Sequence, residues 1–193
     1  MNLVDRESAL KILKSGLPII FPTDTLPAIG CLPEFSNVIY KFKKRDKNKP
    51  LILMGSEYKQ LIDYVHESAK EDFESIASKY WPGALTMVIP SSKKEVALLT
   101  STDLTLGLRI PNSYMAQSLM LLTGPLLTSS ANISGFKGSI TSEGIALDFP
   151  SLSILGPIPW EKSSGKASTI ISWQKSGEWS LIREGEVFVN DLD

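Results

Sequence analysis

Two short pairs of residues carry the chemistry most open to inspection. Lys43 and Arg45 stand two apart within the basic run 41–49, and Ser130 and Asn132 stand two apart where the apolar stretch Leu126-Leu-Thr128 ends. A planar guanidinium beside an ammonium suits a polyphosphate, the first as a bidentate fork and the second as a point charge. In an extended loop the two side chains point the same way. Around the second pair, Ser129-Ser-Ala-Asn-Ile-Ser-Gly135 offers short donors and backbone N–H groups that an anion can approach without steric bulk. Both patterns also have plainer readings. Most basic runs are solvated loops, and some are RNA patches or targeting signals. A Ser/Asn-rich segment closed by a glycine at positive φ is an ordinary turn.

Further candidates lie between and beyond these pairs. Pro22-Thr-Asp-Thr25 follows an apolar run at what reads as the C-terminal end of a strand, the edge at which open α/β sheets bind ligands. On residue types alone, an Asx-turn at Asp24 capped by the threonines is the favoured account. In Thr105-Leu-Gly-Leu-Arg109-Ile-Pro111, Arg109 shares the less apolar face with Thr105 and Gly107. An arginine in a strand of that kind needs an anionic partner, either an internal carboxylate or a substrate. Trp81-Pro-Gly83 reads as a turn, with Trp81 packed at the core edge. His66, the only histidine, follows an amphipathic stretch and reads as a surface residue, so a Ser-His-Asp triad or a His-based metal site has little support. The P-loop pattern GxxxxGK[ST] does not occur.

The elements that must position these residues are legible in outline. Asp5 caps a helix with Ala9, Leu10, Ile12 and Leu13 on its apolar face and Gly16 at its end. Leu17–Phe21 reads as a buried strand followed by a loop holding Pro22, Pro27 and Pro33. Helices are expected over 34–43, 57–65, 68–80, 113–122 and 142–148. Strands are expected at 51–54, 84–89, 104–110, 126–128, 153–155, 168–173 and 179–183, with 91–103 as a polar loop. Strands and helices interleave without a strict βαβ rhythm, which predicts an α/β or α+β domain on a mixed sheet. With 193 residues, no internal repeat and no low-complexity linker, a single domain over 1–193 is expected.

Composition narrows the class. Hydrophobic residues at 42% and charged residues at 21% are ordinary for a globular protein and wrong for a disordered one. One cysteine, Cys31, excludes an internal disulfide framework and a Cys-rich zinc site. The net charge of −1 conceals a local +5 over residues 41–49, which leaves −6 on the other 184. A concentrated basic patch on a mildly acidic body points to a local anionic ligand, where a surface given over to nucleic acid would be more broadly basic. No apolar run has the length to span a membrane, and charges interrupt Met1–Lys14 where a signal peptide would be continuous, so a cytoplasmic location is the expectation.

Taken in order, seven of these segments resemble the YrdC-like family of threonylcarbamoyl-adenylate synthases: Pro22–Thr25, Lys43-Lys-Arg45 with Pro50-Leu51, Trp81–Gly83, Thr105–Pro111, Ser129–Gly135, Ser168-Thr-Ile170 and Leu181-Ile-Arg183. The resemblance implies a twisted, open mixed sheet flanked by helices around a deep, positively lined cavity. It implies a nucleotidyltransferase that makes L-threonylcarbamoyl-adenylate and pyrophosphate from L-threonine, bicarbonate and ATP. Mg²⁺ travels with the ATP and no metal is held by protein ligands. The product is used by tRNA threonylcarbamoyl-transfer proteins to modify an adenosine beside the anticodon, and tRNA or double-stranded RNA is a further partner in some readings. Carried over by position, Lys43, Arg45, Lys49, Thr105, Ser130, Asn132, Thr141 and Arg183 are nucleotide contacts, with Lys43 and Arg45 catalytic. Thr25, Arg109 and Ser168 are threonine contacts. The chain departs from the family's Tyr-Gly-Leu-Gly run with Leu26-Pro-Ala-Ile-Gly30, and has Asp46 and Glu184 where prolines usually follow the two arginines. The alternative is a relative of the same fold that binds nucleotide or RNA without making the adenylate.

Overall fold

A computed structural model describes residues 1–99, 103–136 and 138–188. Ten strands form one mixed sheet: β1 (Asn2–Val4), β2 (Ile19–Phe21), β3 (Ala28–Cys31), β4 (Ile52–Met54), β5 (Leu85–Pro90), β6 (Thr105–Arg109), β7 (Leu126–Ser130), β8 (Ser153–Leu155), β9 (Thr169–Lys175) and β10 (Glu178–Arg183). Their spatial order is β1-β8-β2-β3-β7-β4-β6-β5-β9-β10. The helices are α1 (Arg6–Lys14), α2 (Asn37–Lys43), α3 (Tyr58–Leu61), α4 (Lys70–Tyr80), α5 (Lys94–Ala97), α6 (Tyr114–Thr123) and α7 (Ser142–Asp148). The expected mixed α/β architecture is the one observed.

Side chains alternate between the two faces of a strand, so the pairing register decides which residues share a face. Leu106, Leu108, Leu53, Leu127, Leu85, Met87, Ile89 and Ile171 point to one face and join Ile39, Phe73 and Ile145 of α2, α4 and α7 in a continuous buried core. The opposite face is covered by α1 and α6 over Ile19, Phe21, Ala28, Met54 and Leu126. Each fully buried aliphatic or aromatic side chain contributes roughly 1.5–3 kcal/mol relative to exposure, so these layers anchor the sheet on both sides. α1 follows the expected plan: the Asp5 carboxylate accepts from the Ser8 N–H at 2.8 Å, and Ala9 and Leu13 are buried.

The structure departs from the sequence reading in several places. The proline-rich loop after β2 contains β3, an inner strand between β2 and β7. Its four residues are all buried, so it lacks the alternation that marks a strand, and Pro27 precedes it where no ladder donor is lost. The three-residue edge strand β1, parallel to β8, is too short to leave a pattern. The expected helix over 34–43 divides into a 3₁₀ turn at Pro33–Phe35 and α2. Within 91–103, α5 occupies Lys94–Ala97, and Thr100, Ser101 and Thr102 lie outside the described residues.

Candidate functional site

The sheet register gathers most of the predicted site residues onto one face. Val88, Gly107, Ile52, Thr128 and Gly30 lie in one lateral row. On one side of that row stand Ile170, Thr86, Arg109 and Met54, and on the other Pro90, Thr105 and Ser130. This is the face that α1 and α6 cover at its β2–β3 end. Over β5, β6 and β7 its floor mixes the small or polar Thr86, Gly107, Thr105, Thr128 and Ser130 with Val88 and Pro90. Four residues along β6 separate the Thr105 and Arg109 ends by about 13 Å.

At the Ser130 end, Lys43 is fully buried. It continues the inward stripe of Ile39 and Tyr40, one helical turn on, which is why a lysine is drawn inside. Its ammonium donates to the Ser130 carbonyl oxygen and to Asn132 Oδ1, the latter at 3.3 Å. Ser130 Oγ donates to the same Asn132 oxygen at 2.6 Å. Backbone bonds fasten the three segments together: Ser134 N–H donates to the Lys43 carbonyl, and Ala131 N–H to the Pro27 carbonyl. Lys43 of the first pair therefore meets both members of the second.

The expected extended geometry between Lys43 and Arg45 is not what joins them. Lys43 ends α2, and Lys44 takes a left-handed conformation at φ 50° that closes the helix and turns the chain. Half-buried Arg45 folds back on the following loop, donating from Nε to the Lys49 carbonyl (3.2 Å) and from Nη2 to the Pro50 carbonyl (2.9 Å). Lys49 enters through that carbonyl, and its own side chain is exposed.

At the Arg109 end, the partner left open by the sequence is an internal carboxylate. Arg109, 2% exposed, donates from Nη2 to Asp24 Oδ1 at 2.6 Å, from Nη1 to Thr25 Oγ1 at 2.9 Å, and from Nε to the Gly83 carbonyl at 3.0 Å. Asp24 thus serves as the counter-charge to Arg109, and the Asx-turn favoured for it does not describe its role. The turn itself is held by Thr23, whose Oγ1 donates to the Leu26 carbonyl and accepts from Thr25 N–H. Residues 156–167 lie across this loop, with Ser164 and Gly165 N–H groups donating to the Asp24 and Thr25 carbonyls.

Arg183 and Ser168 complete the face. Arg183 Nε and Nη2 donate to the Ser168 carbonyl at 3.2 and 2.7 Å, and Nη2 reaches Ser168 Oγ at 3.3 Å. Gly185 allows the chain to pass tightly here, since a Cβ on it would stand 2.4 Å from the Ala167 carbonyl oxygen. Ser168 Oγ also bonds Thr86 Oγ1 at 2.9 Å, with Thr86 fully buried. Thr86 escaped the sequence reading; its signal was a threonine on the Arg109-facing side of an otherwise apolar strand. Thr105 opens β6 half-buried. Thr141 is placed differently from the rest: it caps α7, its Oγ1 accepting from Gly144 N–H at 3.2 Å.

Electrostatics ties these residues together. Burial, reinforced by Arg45, pushes Lys43 down to about 7. Burial and then Arg45 lower Arg183. Burial lowers Arg109 most, Asp24 opposes that shift, and Arg183 adds to it. Arg45 itself is lowered by burial, against the pull of Tyr40. Four cations on three segments sense one another in a poorly solvated space. Asp24 already offsets Arg109; for Lys43, Arg45 and Arg183 the arrangement is costly unless an anion enters it.

Comparison with known proteins agrees with this architecture. The family model for Sua5, YciO and YrdC, described as "Telomere recombination", matches residues 11–185. The chain belongs to the Sua5/YciO/YrdC family. Among family relatives, a threonylcarbamoyl-AMP synthase of Buchnera aphidicola is 31% identical over 192 residues, covering 96% of this chain and all of the relative. The protein of the same name from Yersinia pestis is 33% identical over 153 residues, 76% of this chain and 80% of the relative. In three dimensions, P. abyssi Sua5 complexed with L-threonine matches 96% of this chain with a TM-score of 0.84 and 25% identity. The chain spans 58% of that longer protein. E. coli YciO, at 22% identity and a TM-score of 0.79, shares the fold over 98% of this chain.

Proposed function

We propose that this chain condenses L-threonine, bicarbonate and ATP·Mg²⁺ into L-threonylcarbamoyl-adenylate, releasing pyrophosphate. The observation that carries the reading is the buried Lys43 ammonium, held on Ser130 and Asn132 within electrostatic reach of Arg45. Short polar groups and paired cations of this kind receive a polyphosphate.

The reaction needs no protein nucleophile. The threonine amine and bicarbonate give a carbamate with loss of water. A carbamate oxygen then attacks the α-phosphorus, the bond to the bridging oxygen breaks, and pyrophosphate leaves. Lys43, Arg45 and Arg183 offset the charge that gathers on the phosphates, while Ser130 and Asn132 fix Lys43. The metal is carried by the ATP phosphates. Thr25 and Ser168 lie toward the threonine, and Arg109, its charge met by Asp24, acts on that side by holding Thr25 in place. Thr105, Lys49 and Thr141 stand at the nucleotide side, Thr141 through its place at the start of α7. Catalysis rests on orientation and on excluding water. The adenylate would pass to tRNA threonylcarbamoyl-transfer proteins in the cytoplasm. Lys43 lies buried beneath the exposed lysines of its loop, which disfavours a purely RNA-binding role for this residue.

A crystal structure with ATP and L-threonine tests the placement. The triphosphate is expected on Lys43, Arg45 and Arg183, with threonine toward Thr25. A nucleotide bound on another face of the sheet would overturn it.

A further inference from the structure

On the opposite face of the sheet from Arg109 lies a cavity of about 410 Å³, lined by Ser56, Glu57, Tyr58, Glu74, Ala77, Ser78, Trp81, Pro82 and Ile110. Its walls come from α3, α4, the segments beside them and Ile110 just past β6, and none of them takes part in the site described above. We propose that this cavity binds a small organic cation: a primary amine carried on a flat or aliphatic apolar body.

Three features specify that chemistry. The first is the wall itself. Tyr58, Ala77, Trp81, Pro82 and Ile110 are apolar and held rigidly, for Phe73 beneath them stacks on Tyr58 at 5.8 Å and meets Trp81 edge-on at 5.4 Å. Trp81 is further fixed by its Nε1–H, which donates to the Leu85 carbonyl at 2.8 Å. Locked aromatic rings of this kind attract a cation over their faces as well as an apolar body. The second is the charge in the lining, where Glu57 and Glu74 are the ionisable groups beside Tyr58. Glu74 adds to the burial that raises the Tyr58 hydroxyl, so its field reaches into the aromatic wall. The third is Ser56. Its N–H is satisfied by Gln60 Oε1 at 2.9 Å, yet its Oγ is buried with no hydrogen-bond partner. A buried hydroxyl of that kind is normally paired, and because Ser56 lines the cavity, a turn of its side chain would offer the oxygen to an ammonium N–H there. An anionic ligand would meet two carboxylates here, so the site has the opposite charge preference to the Lys43/Arg45 face.

The test uses three probes that share one ring and differ in charge: phenethylamine, 2-phenylethanol and phenylacetate, titrated against the ¹⁵N-labelled full chain by NMR. Phenethylamine is expected to give saturable shifts at the Ser56, Ala77 and Trp81 amides, binding more tightly than the alcohol, and phenylacetate most weakly. In the Glu57→Gln/Glu74→Gln variant, both positions being exposed, the preference of amine over alcohol should fall by about fivefold, the size expected for losing two surface-exposed charges and their help to a cation–π contact. An unchanged melting temperature separates this from a folding effect. The inference is overturned if the three probes bind alike, if their shifts map to another surface, if the variant keeps the amine preference, or if no probe saturates below about 10 mM, the weak limit for a specific small-ligand site. Because binding is read directly, the result is independent of the proposed synthase activity.

Discussion

Replacing Asp24 by Asn removes the counter-charge of Arg109 while keeping side-chain shape. The Asp24 side chain is 17% exposed and that of Arg109 3%, with 2.6 Å between Oδ1 and Nη2. At an effective dielectric near 20, two unit charges at that separation attract by about 6 kcal/mol, an upper figure for the pair. Removing one partner of such a pair leaves a buried charge uncompensated and typically costs about 3–5 kcal/mol. The asparagine carbonyl can still accept one N–H, which places Asp24→Asn near the lower end. For a chain of this size that corresponds to a fall in melting temperature of roughly 6–12 °C. The decisive assay is a double-mutant cycle by chemical denaturation with Arg109→Met, which removes the buried cation itself. The double variant should be less destabilised than the sum of the single ones by about 2 kcal/mol. Additive effects would refute the claim that Asp24 exists here to neutralise Arg109.

Four further outcomes follow from the geometry. The folded chain holds Lys43 near 7, against 10.5 for an ordinary lysine, so between those values the unfolded chain binds a proton that the fold does not. Stability should therefore rise with pH from about 7 to about 10, with the full cost of the buried charge present below pH 7, and Lys43→Met should be more stable at neutral pH and lack that slope in denaturation series. A triphosphate placed against Lys43 favours its protonated form, so ATP binding at about pH 8 should take up a proton, visible in calorimetry as a dependence on buffer ionisation enthalpy. Arg45→Ala should abolish adenylate formation while lowering stability by only about 1–2 kcal/mol, the worth of its two backbone contacts; a collapse in melting temperature would make it structural. Gly185→Ala forces a methyl against the Ala167 carbonyl and should displace Arg183 from Ser168, raising the KM for ATP together with a loss of stability of about 1–3 kcal/mol.

How much of this was legible in the residues varies with the kind of signal. Periodic elements such as α1, α4 and α6 declare themselves through apolar stripes, and α1 and α6 also carry the capping residues Asp5 and Ser113. The two-residue alternation of Thr105, Gly107 and Arg109 correctly gave the face that Arg109 occupies. What the chain could not display locally is long-range pairing. The partner of Arg109 lies 85 residues away at Asp24, in a segment whose own composition favours a simple turn. Ser168 and Thr86 meet only because β9 runs parallel beside β5. β3 was hidden by the prolines that flank it and by burial on both faces, which erases alternation. Lys43 looked like part of a solvated charged run, and its burial follows from the inward stripe of α2, a property of the helix and not of the run.

The central claim is tested most directly by incubating the chain with ATP, Mg²⁺, L-threonine and bicarbonate and following pyrophosphate release alongside the adenylate by mass spectrometry. The account predicts threonylcarbamoyl-AMP in step with pyrophosphate, dependent on all three substrates and lost in a folded Arg45→Ala variant. Absence of the adduct at high enzyme concentration, or pyrophosphate released equally without threonine, would contradict it.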